Sequence, residues 1–318
     1  MKNTILTFCC ILLQQSLFAE NKDWLIDGSP YKTEVNLSSD KKQIELTNGL
    51  LRRSFSLTPN GATIALDNLM TGQNELRAVR PEAVLVINGK EYPVGGLEGQ
   101  PVHNFLTKDF LSGMQLCDSA FVLAGYTVSE TKERFPWKPN EAWISNRYPW
   151  PAPGKRITFT YRAPRKIVDE CKGLTIRIVY ELYDGAPILS KWIEIENNGQ
   201  KAVTLDSFKS EVLALVETAP KVHYGEPHEV RMMAQKTGYY TEDYRKRPVQ
   251  TDAPRDYIDR FTQLFVVTDY AMGGDMEAMK DNPAVRWVFD HPEYEFTGIR
   301  YYGQYKPARL EVTPLLGP

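Results

Sequence analysis

Apolar and polar residues alternate along most of the chain, and the alternating runs are separated by turn dipeptides. Gln-Ile-Glu-Leu-Thr at 43–47 is followed by Asn48-Gly49, and Leu51–Leu57 and Ala62–Leu66 continue the pattern on either side of Pro59-Asn60-Gly61. Val84–Ile87 meets Glu91–Val94 across Asn88-Gly89-Lys90, a strong short-range hairpin signal because Asn-Gly tolerates the left-handed backbone of the tight turn. Ile157–Tyr161, Leu174–Tyr183 and Ile188–Ile195 predict long strands, the last two joined by Asp184-Gly185, and Asn197-Asn198-Gly199 turns the chain again. Val203–Phe208, Glu211–Val216, Phe261–Val267, Trp287–Phe289 and Leu310–Val312 add further strands. Helical periodicity is short and weak; Asn104–Met114 is its best stretch and predicts one or two turns.

So many strands without amphipathic helices between them argue against a βαβ architecture. They predict an all-β fold, a large antiparallel β-sandwich. An immunoglobulin-like sandwich needs only about 100 residues. The 318 residues show no obvious internal linker and no fixed repeat, so one large sandwich is expected rather than a string of small ones or a propeller.

The start of the chain has a different character. Lys2, the apolar stretch Thr4–Leu13 and the small Ala19 before Glu20 have the layout of a cleavable export signal over residues 1–19. That apolar stretch is shorter than the roughly 20 residues a membrane-spanning helix needs. The expectation is an exported protein, periplasmic or extracellular, with no membrane span, whose domain occupies residues 20–318.

Charge and cysteine content narrow the chemistry. Loss of Lys2 with the leader lowers the basic residues from 38 to 37, against 40 acidic ones, and no basic block occurs. Nucleic acid and anionic membranes are therefore not expected partners. Cys117 and Cys171 remain, either as a disulfide or as two thiols. His103, His223, His228 and His291 are scattered, and no HExxH or CxxC spacing exists, so no metal and no cofactor is expected. Val-Gly-Gly-Leu-Glu-Gly at 94–99 lacks the strand–GxGxxG–helix context of a dinucleotide site and reads as turns. Asp290, Glu293 and Glu295 read as alternation on an exposed strand rather than as a catalytic pair.

Two long interruptions stand apart from the strands: residues 129–156, with Trp137, Trp143, Trp150 and five prolines, and residues 219–260, with Tyr239, Tyr240, Tyr244 and Tyr257. Flat aromatic rings cover the apolar face of a pyranose while amides and charged groups bond its hydroxyls. The sugar-binding candidates are Trp137, Trp143, Tyr148 and Trp150, with Asn140, Glu141, Asn146 and Arg147 as polar contacts. Trp192, inside a long strand, is expected in the core. Tyr301, Tyr302 and Tyr305 are a second aromatic group, on a surface that a further domain would cover.

Three segments together resemble one family. ELTNGLLRRSFSLTPNGATIALDNLMTG at 45–72, Val86-Ile-Asn-Gly-Lys90 with VGGLEGQP at 94–101, and YELYDGAPILSKWIEIENNG at 180–199 are similar to the opening of secreted bacterial α-galactosidase-like (melibiase-type) glycoside hydrolases. The resemblance implies a β-supersandwich of the galactose-mutarotase type, followed in such enzymes by a (β/α)₈ barrel that carries the catalytic aspartates. This sequence departs from that pattern: it shows no βα alternation, and a barrel requires about 250 residues. The implied reading is a noncatalytic N-terminal domain or fragment acting on galactoside-containing glycans, with no catalytic residues of its own and the absent barrel as its packing partner. A stand-alone carbohydrate-binding protein and a complete mutarotase-like enzyme are the other two readings.

Overall fold

The computed structural model describes residues 23–101, 106–138, 149–163 and 171–215, and the segments 236–237, 265–266, 285–289 and 308–313. In chain order the elements are β1 (Glu34–Leu37), β2 (Gln43–Thr47), β3 (Leu51–Ser56), β4 (Ala62–Asn68), β5 (Gln73–Asn74), β6 (Leu76–Ala78), β7 (Ala83–Ile87) and β8 (Lys90–Val94), then helix α1 (Lys108–Gly113). There follow β9 (Val122–Glu130), β10 (Gly154–Arg162), β11 (Leu174–Tyr183), β12 (Leu189–Asn197), β13 (Leu205–Lys209), β14 (Glu211–Leu215), β15 (Lys236–Thr237), β16 (Phe265–Val266), β17 (Val285–Phe289) and β18 (Ala308–Val312).

The fold is an all-β sandwich of antiparallel sheets, as the alternation predicts. The sheets run β1-β2-β3-β4-β5, β12-β11-β10-β9, β13-β7-β8 and β17-β18-β14-β6. Among the described strand pairs the short β15–β16 pair is parallel, and an isolated parallel bridge joins Val94 to Phe121. Strand ends differ from the sequence expectation by a few residues, and β10 begins already at Gly154. The helix makes fewer than two turns, within the stretch expected to hold one or two: Thr107 caps it, its hydroxyl accepting from the Phe110 N–H at 3.2 Å, and it ends at Gly113. Strand β9 is not among the strands expected from sequence, its alternation being masked by Ala124-Gly125; it takes only Ser129 and Glu130 from the long interruption at 129–156. Of the strand expected at 261–267 only Phe265–Val266 lies within the described residues, as β16, whereas the strand expected at 287–289 falls wholly inside β17. Among the described residues no helix is long and apolar enough to cross a membrane.

Period-two alternation sends one side of each strand inward. Ile157, Phe159 and Tyr161 of β10 and Ile176, Ile178, Tyr180 and Leu182 of β11 meet Ile44, Leu46 and Phe55 of the first sheet and Leu85, Ile87 and Val94 of β7–β8. Phe55 is the centre, with its ring centroid 4.8 Å from Phe159 and 4.9 Å from Tyr180. Burying side chains of this size stabilises by about 1.5–3 kcal/mol each. The first predicted turn also anchors the sheets to each other. Buried Asn48 accepts from the Leu50 and Leu51 N–H groups at 3.0 and 3.1 Å, and its amide donates to the Tyr183 and Ala186 carbonyls at 2.8 and 2.7 Å.

The two cysteines are separate thiols: Cys171 is buried in the core and Cys117 is partly exposed beside Ser119. Trp192 is not in the core. Ile193 turns inward, so its neighbour projects to the opposite face of β12, where Trp192 is half-buried.

Tyr161 carries an anomaly. Its hydroxyl is buried against Gly61 and Gly95 and has no hydrogen-bond partner among the described residues. Burial pushes that phenol well above its usual pKa, with the Glu82 charge adding to the effect. Tyr161→Phe is therefore expected to leave stability unchanged or raise it by about 1–3 kcal/mol, because it removes a desolvated, unpaired group. A lower urea midpoint for the variant would show that the hydroxyl has a partner after all.

Candidate functional site

Two constellations stand out, one closed and one open. The closed one is a hub of charges between the sheets, built by Arg53 of β3, Glu82 just before β7, Tyr180 of β11, Lys191 of β12 and Glu211 of β14. Arg53 shares a strand face with Phe55 and so points inward, and its guanidinium lies 4.6 Å from the Tyr180 ring. Its Nη1 and Nη2 donate to the two Glu211 oxygens at 2.7 and 3.2 Å, and its Nε and Nη2 reach Thr63 Oγ1 at 2.9 and 2.8 Å. Lys191 Nζ donates to Glu211 Oε1 at 2.7 Å and to the Glu82 carbonyl at 2.5 Å, and stands 3.9 Å from Glu82 Oε2. Glu82 accepts from the Thr63 N–H and hydroxyl and from the Tyr180 hydroxyl.

Two cations and two carboxylates thus cancel in a low-dielectric site. Burial alone would raise the Glu211 carboxyl, but the charges of Arg53 and Lys191 outweigh it and hold the group down at about 2. Burial lowers the Lys191 ammonium below the usual lysine range, with Glu211 and Glu82 opposing the shift. Burial would also lower Arg53, yet Glu211, Tyr180 and Glu82 raise it above the ordinary arginine value. Each acid of the hub is committed to cations and hydroxyls inside the fold. Chemically the hub clamps strands from different sheets together.

The open constellation is an aromatic ledge on the connection between β9 and β10. Thr131 ties the two ends of that connection, its N–H donating to the Gly154 carbonyl at 3.3 Å and its hydroxyl to the Ala152 carbonyl at 2.6 Å. The Trp150 indole N–H donates to the Phe135 carbonyl at 3.2 Å. The Trp150 ring centroid then lies 5.1 Å from Phe135 and 5.3 Å from Trp137, with the planes inclined by 45° and 53°. Phe135 is 47% and Trp150 36% exposed, so the two contacting rings form a small apolar patch open to solvent.

Arg134 joins the ledge to the outer face of the sheet. Its guanidinium lies 5.9 Å from the Phe135 ring and 4.4 Å from the Trp192 ring. Arg156 flanks Trp192 from 5.1 Å, held by Glu181 at 2.6 Å and by the Lys132 carbonyl at 3.2 Å. The Trp192 indole N–H donates to Glu194 at 3.1 Å, so the ring has a fixed orientation on the strand.

Of the sequence-predicted sugar contacts, Trp137 and Trp150 come together on the ledge. Trp143, Asn146, Arg147 and Tyr148, with Asn140 and Glu141, lie outside the described residues, as do Asp290, Glu293, Glu295, Tyr301, Tyr302, Tyr305 and the four histidines. Phe135, Arg134 and Trp192 are ledge residues that the sequence reading missed; the adjacency Arg134-Phe135-Pro136-Trp137 was the available signal. Among the described residues no group of three His, Cys, Asp or Glu side chains is arranged to hold a metal ion.

Comparisons of the chain with protein-family models, with curated proteins and with solved structures find no match.

Proposed function

We propose that this chain is a noncatalytic β-supersandwich module of the α-galactosidase-like kind, exported to the periplasm or beyond, that holds galactoside-containing glycans on the aromatic ledge. The observation that carries this reading is the mutually braced array of Phe135, Trp150 and half-buried Trp137, in which Phe135 and Trp150 keep ring surface exposed to solvent. A hydrogen bond to the backbone fixes Trp150, so little side-chain freedom is lost on binding. Glu82 and Glu211, the carboxylates that converge in the interior, are engaged by Arg53 and Lys191, which favours a supporting over a hydrolytic role. The neighbouring reading, a stand-alone carbohydrate-binding protein, uses the same ledge and differs only in having no barrel to serve.

Calorimetric titration of the full chain with galacto-oligosaccharides tests the proposal. Binding is expected, and Trp150→Ala should weaken it about tenfold, the value of one lost stacking contact. No heat above dilution at millimolar ligand would sink the reading, and turnover of an aryl α-galactoside by the purified chain would overturn its noncatalytic part.

A further inference from the structure

The face of the β9–β12 sheet turned away from the core continues the ledge. Period two sends Phe159, Ile178 and Ile193 inward, and so turns Thr127, Thr158, Thr160, Arg177, Trp192 and Glu194 outward. The register sets them in two adjacent rungs. Thr127, Thr158, Val179 and Trp192 lie across one, and Gly125, Thr160, Arg177 and Glu194 across the next. The Arg134 contact with the Trp192 ring brings the loop to the first rung, so ledge and sheet face are one surface.

This face keeps polar groups open. The hydroxyls of Thr127, Thr158 and Thr160 have no hydrogen-bond partner among the described residues. Glu194 is exposed and accepts from the Trp192 indole through Oε1, which leaves Oε2 for a ligand. Arg177, directly across from it, turns to Glu196 instead, at 2.5 Å. Gly125, within a nine-residue strand, has no positive φ, and an added Cβ would meet nothing within 4 Å. Neither backbone strain nor crowding by the protein accounts for a glycine there. The bulge beside it at Ala124 is not the type that needs a left-handed glycine. A glycine inside a strand also marks a place where a ligand comes close to the backbone.

We infer that a neutral glycan chain seated on the ledge continues across this face into a second subsite, where Glu194, Thr158 and Thr160 bond its ring hydroxyls and Gly125 lets it approach the sheet. The inference rests on the sugar-binding reading above and adds the length and chemistry of the ligand. A carboxylate oxygen accepts a sugar hydroxyl in a charge-assisted bond, about twice as strong as a neutral one. A threonine hydroxyl donates and accepts, so it meets a sugar hydroxyl in either sense. Hydroxyl donors also suit the exposed carboxylates of Glu133 and Glu194 beside the rings, which would repel an anionic sugar.

Calorimetry on the full chain with a neutral galacto-disaccharide and a galacto-hexasaccharide separates ledge from second subsite. The longer ligand is expected to bind about tenfold more tightly, the worth of one or two added hydrogen bonds. Gly125→Ile places a β-branched side chain in open space on a strand, where it suits the backbone, and should remove most of that gain. Glu194→Gln keeps an acceptor for the Trp192 indole but loses the charge, and should cut the gain about threefold. Both variants should leave the disaccharide within about twofold of wild type, because the Trp150 contact is retained. Trp150→Ala should weaken both ligands and leave their ratio unchanged. A hexasaccharide that binds no better than the disaccharide overturns the second subsite while ledge binding stands. So does a gain that survives either substitution in a variant whose urea midpoint matches the wild type. Absence of binding to both sugars defeats the underlying reading as well.

Discussion

Replacing Arg53 by methionine should lower the stability of the protein by about 3–5 kcal/mol, the cost of breaking a buried ion pair from one side. The side chain is almost completely enclosed, and its loss leaves Glu211 and Glu82 with Lys191 as their remaining cation. Methionine keeps much of the volume, so the effect measures charge rather than a cavity. Denaturant unfolding of the wild type and the variant gives the difference directly. The paired variant Arg53→Met with Glu211→Met should be less destabilised than the sum of the single changes, because the second substitution removes the charge that the first leaves unpaired. Strict additivity would mean that the two residues do not share an energetic unit.

The same hub sets the acid response. The Glu211 carboxyl titrates at about 2 in the folded protein, against 4.5 for the unpaired group. Its folded value is depressed, so its contribution is present in full above pH 4.5 and is lost as pH falls from there towards 2. The displacement corresponds to about 3 kcal/mol. Unfolding free energies measured down this range should decline more steeply for the wild type than for Arg53→Met, where the cation that depresses Glu211 has gone.

Gly95→Ala should be the second severe substitution, at about 3 kcal/mol or more, since it combines backbone strain with steric overlap. Gly95 has φ of +65°, and a Cβ there would lie 2.3 Å from the Gly61 carbonyl oxygen and 3.0 Å from the Tyr161 ring. The oxygen belongs to backbone that also accepts from the Gly96 N–H at 2.9 Å, so it has no easy direction in which to yield. Gly89→Ala is the matching control. Its φ is +75°, but nothing lies within 4 Å of the added carbon, and the change should cost only about 1–2 kcal/mol of backbone strain. Similar urea midpoints for the two variants would show that the crowding at Gly95 has little energetic weight.

The aromatic ledge and the hub differ in how far each could be read from residues alone. Trp137 and Trp150 attract attention in any sequence reading, because large rings among prolines have few local structural uses. Their sharing of one surface depends on Thr131 closing the loop and on the Trp150 indole reaching the Phe135 carbonyl. Trp192 lies on the outer face of β12, contrary to the expectation from sequence, for a definite reason. A strand has two faces, and composition alone does not say which of them meets the core when both carry large residues. Ile193 and Leu189 win the inner face of β12, which leaves Trp192 outside beside Arg134.

Local chemistry alone determined that this chain is all-β, that Asn48-Gly49, Asn88-Gly89 and Asp184-Gly185 reverse it, and that long strands lie at 157–161, 174–183 and 188–195. Those features follow from side-chain period and from turn residues, which act over a few positions. Only the tertiary structure decided that Arg53 and Glu211, 158 residues apart, are partners. In sequence Arg53 looks like one more polar residue on an alternating strand. It turns inward because it shares a face with Phe55, and its charge is tolerable there only because the neighbouring strand β4 supplies Thr63 while other sheets bring Glu82, just before β7, and Glu211 of β14 to it. Pairing between distant strands is fixed by the packing of whole faces, and no short stretch of sequence contains that information.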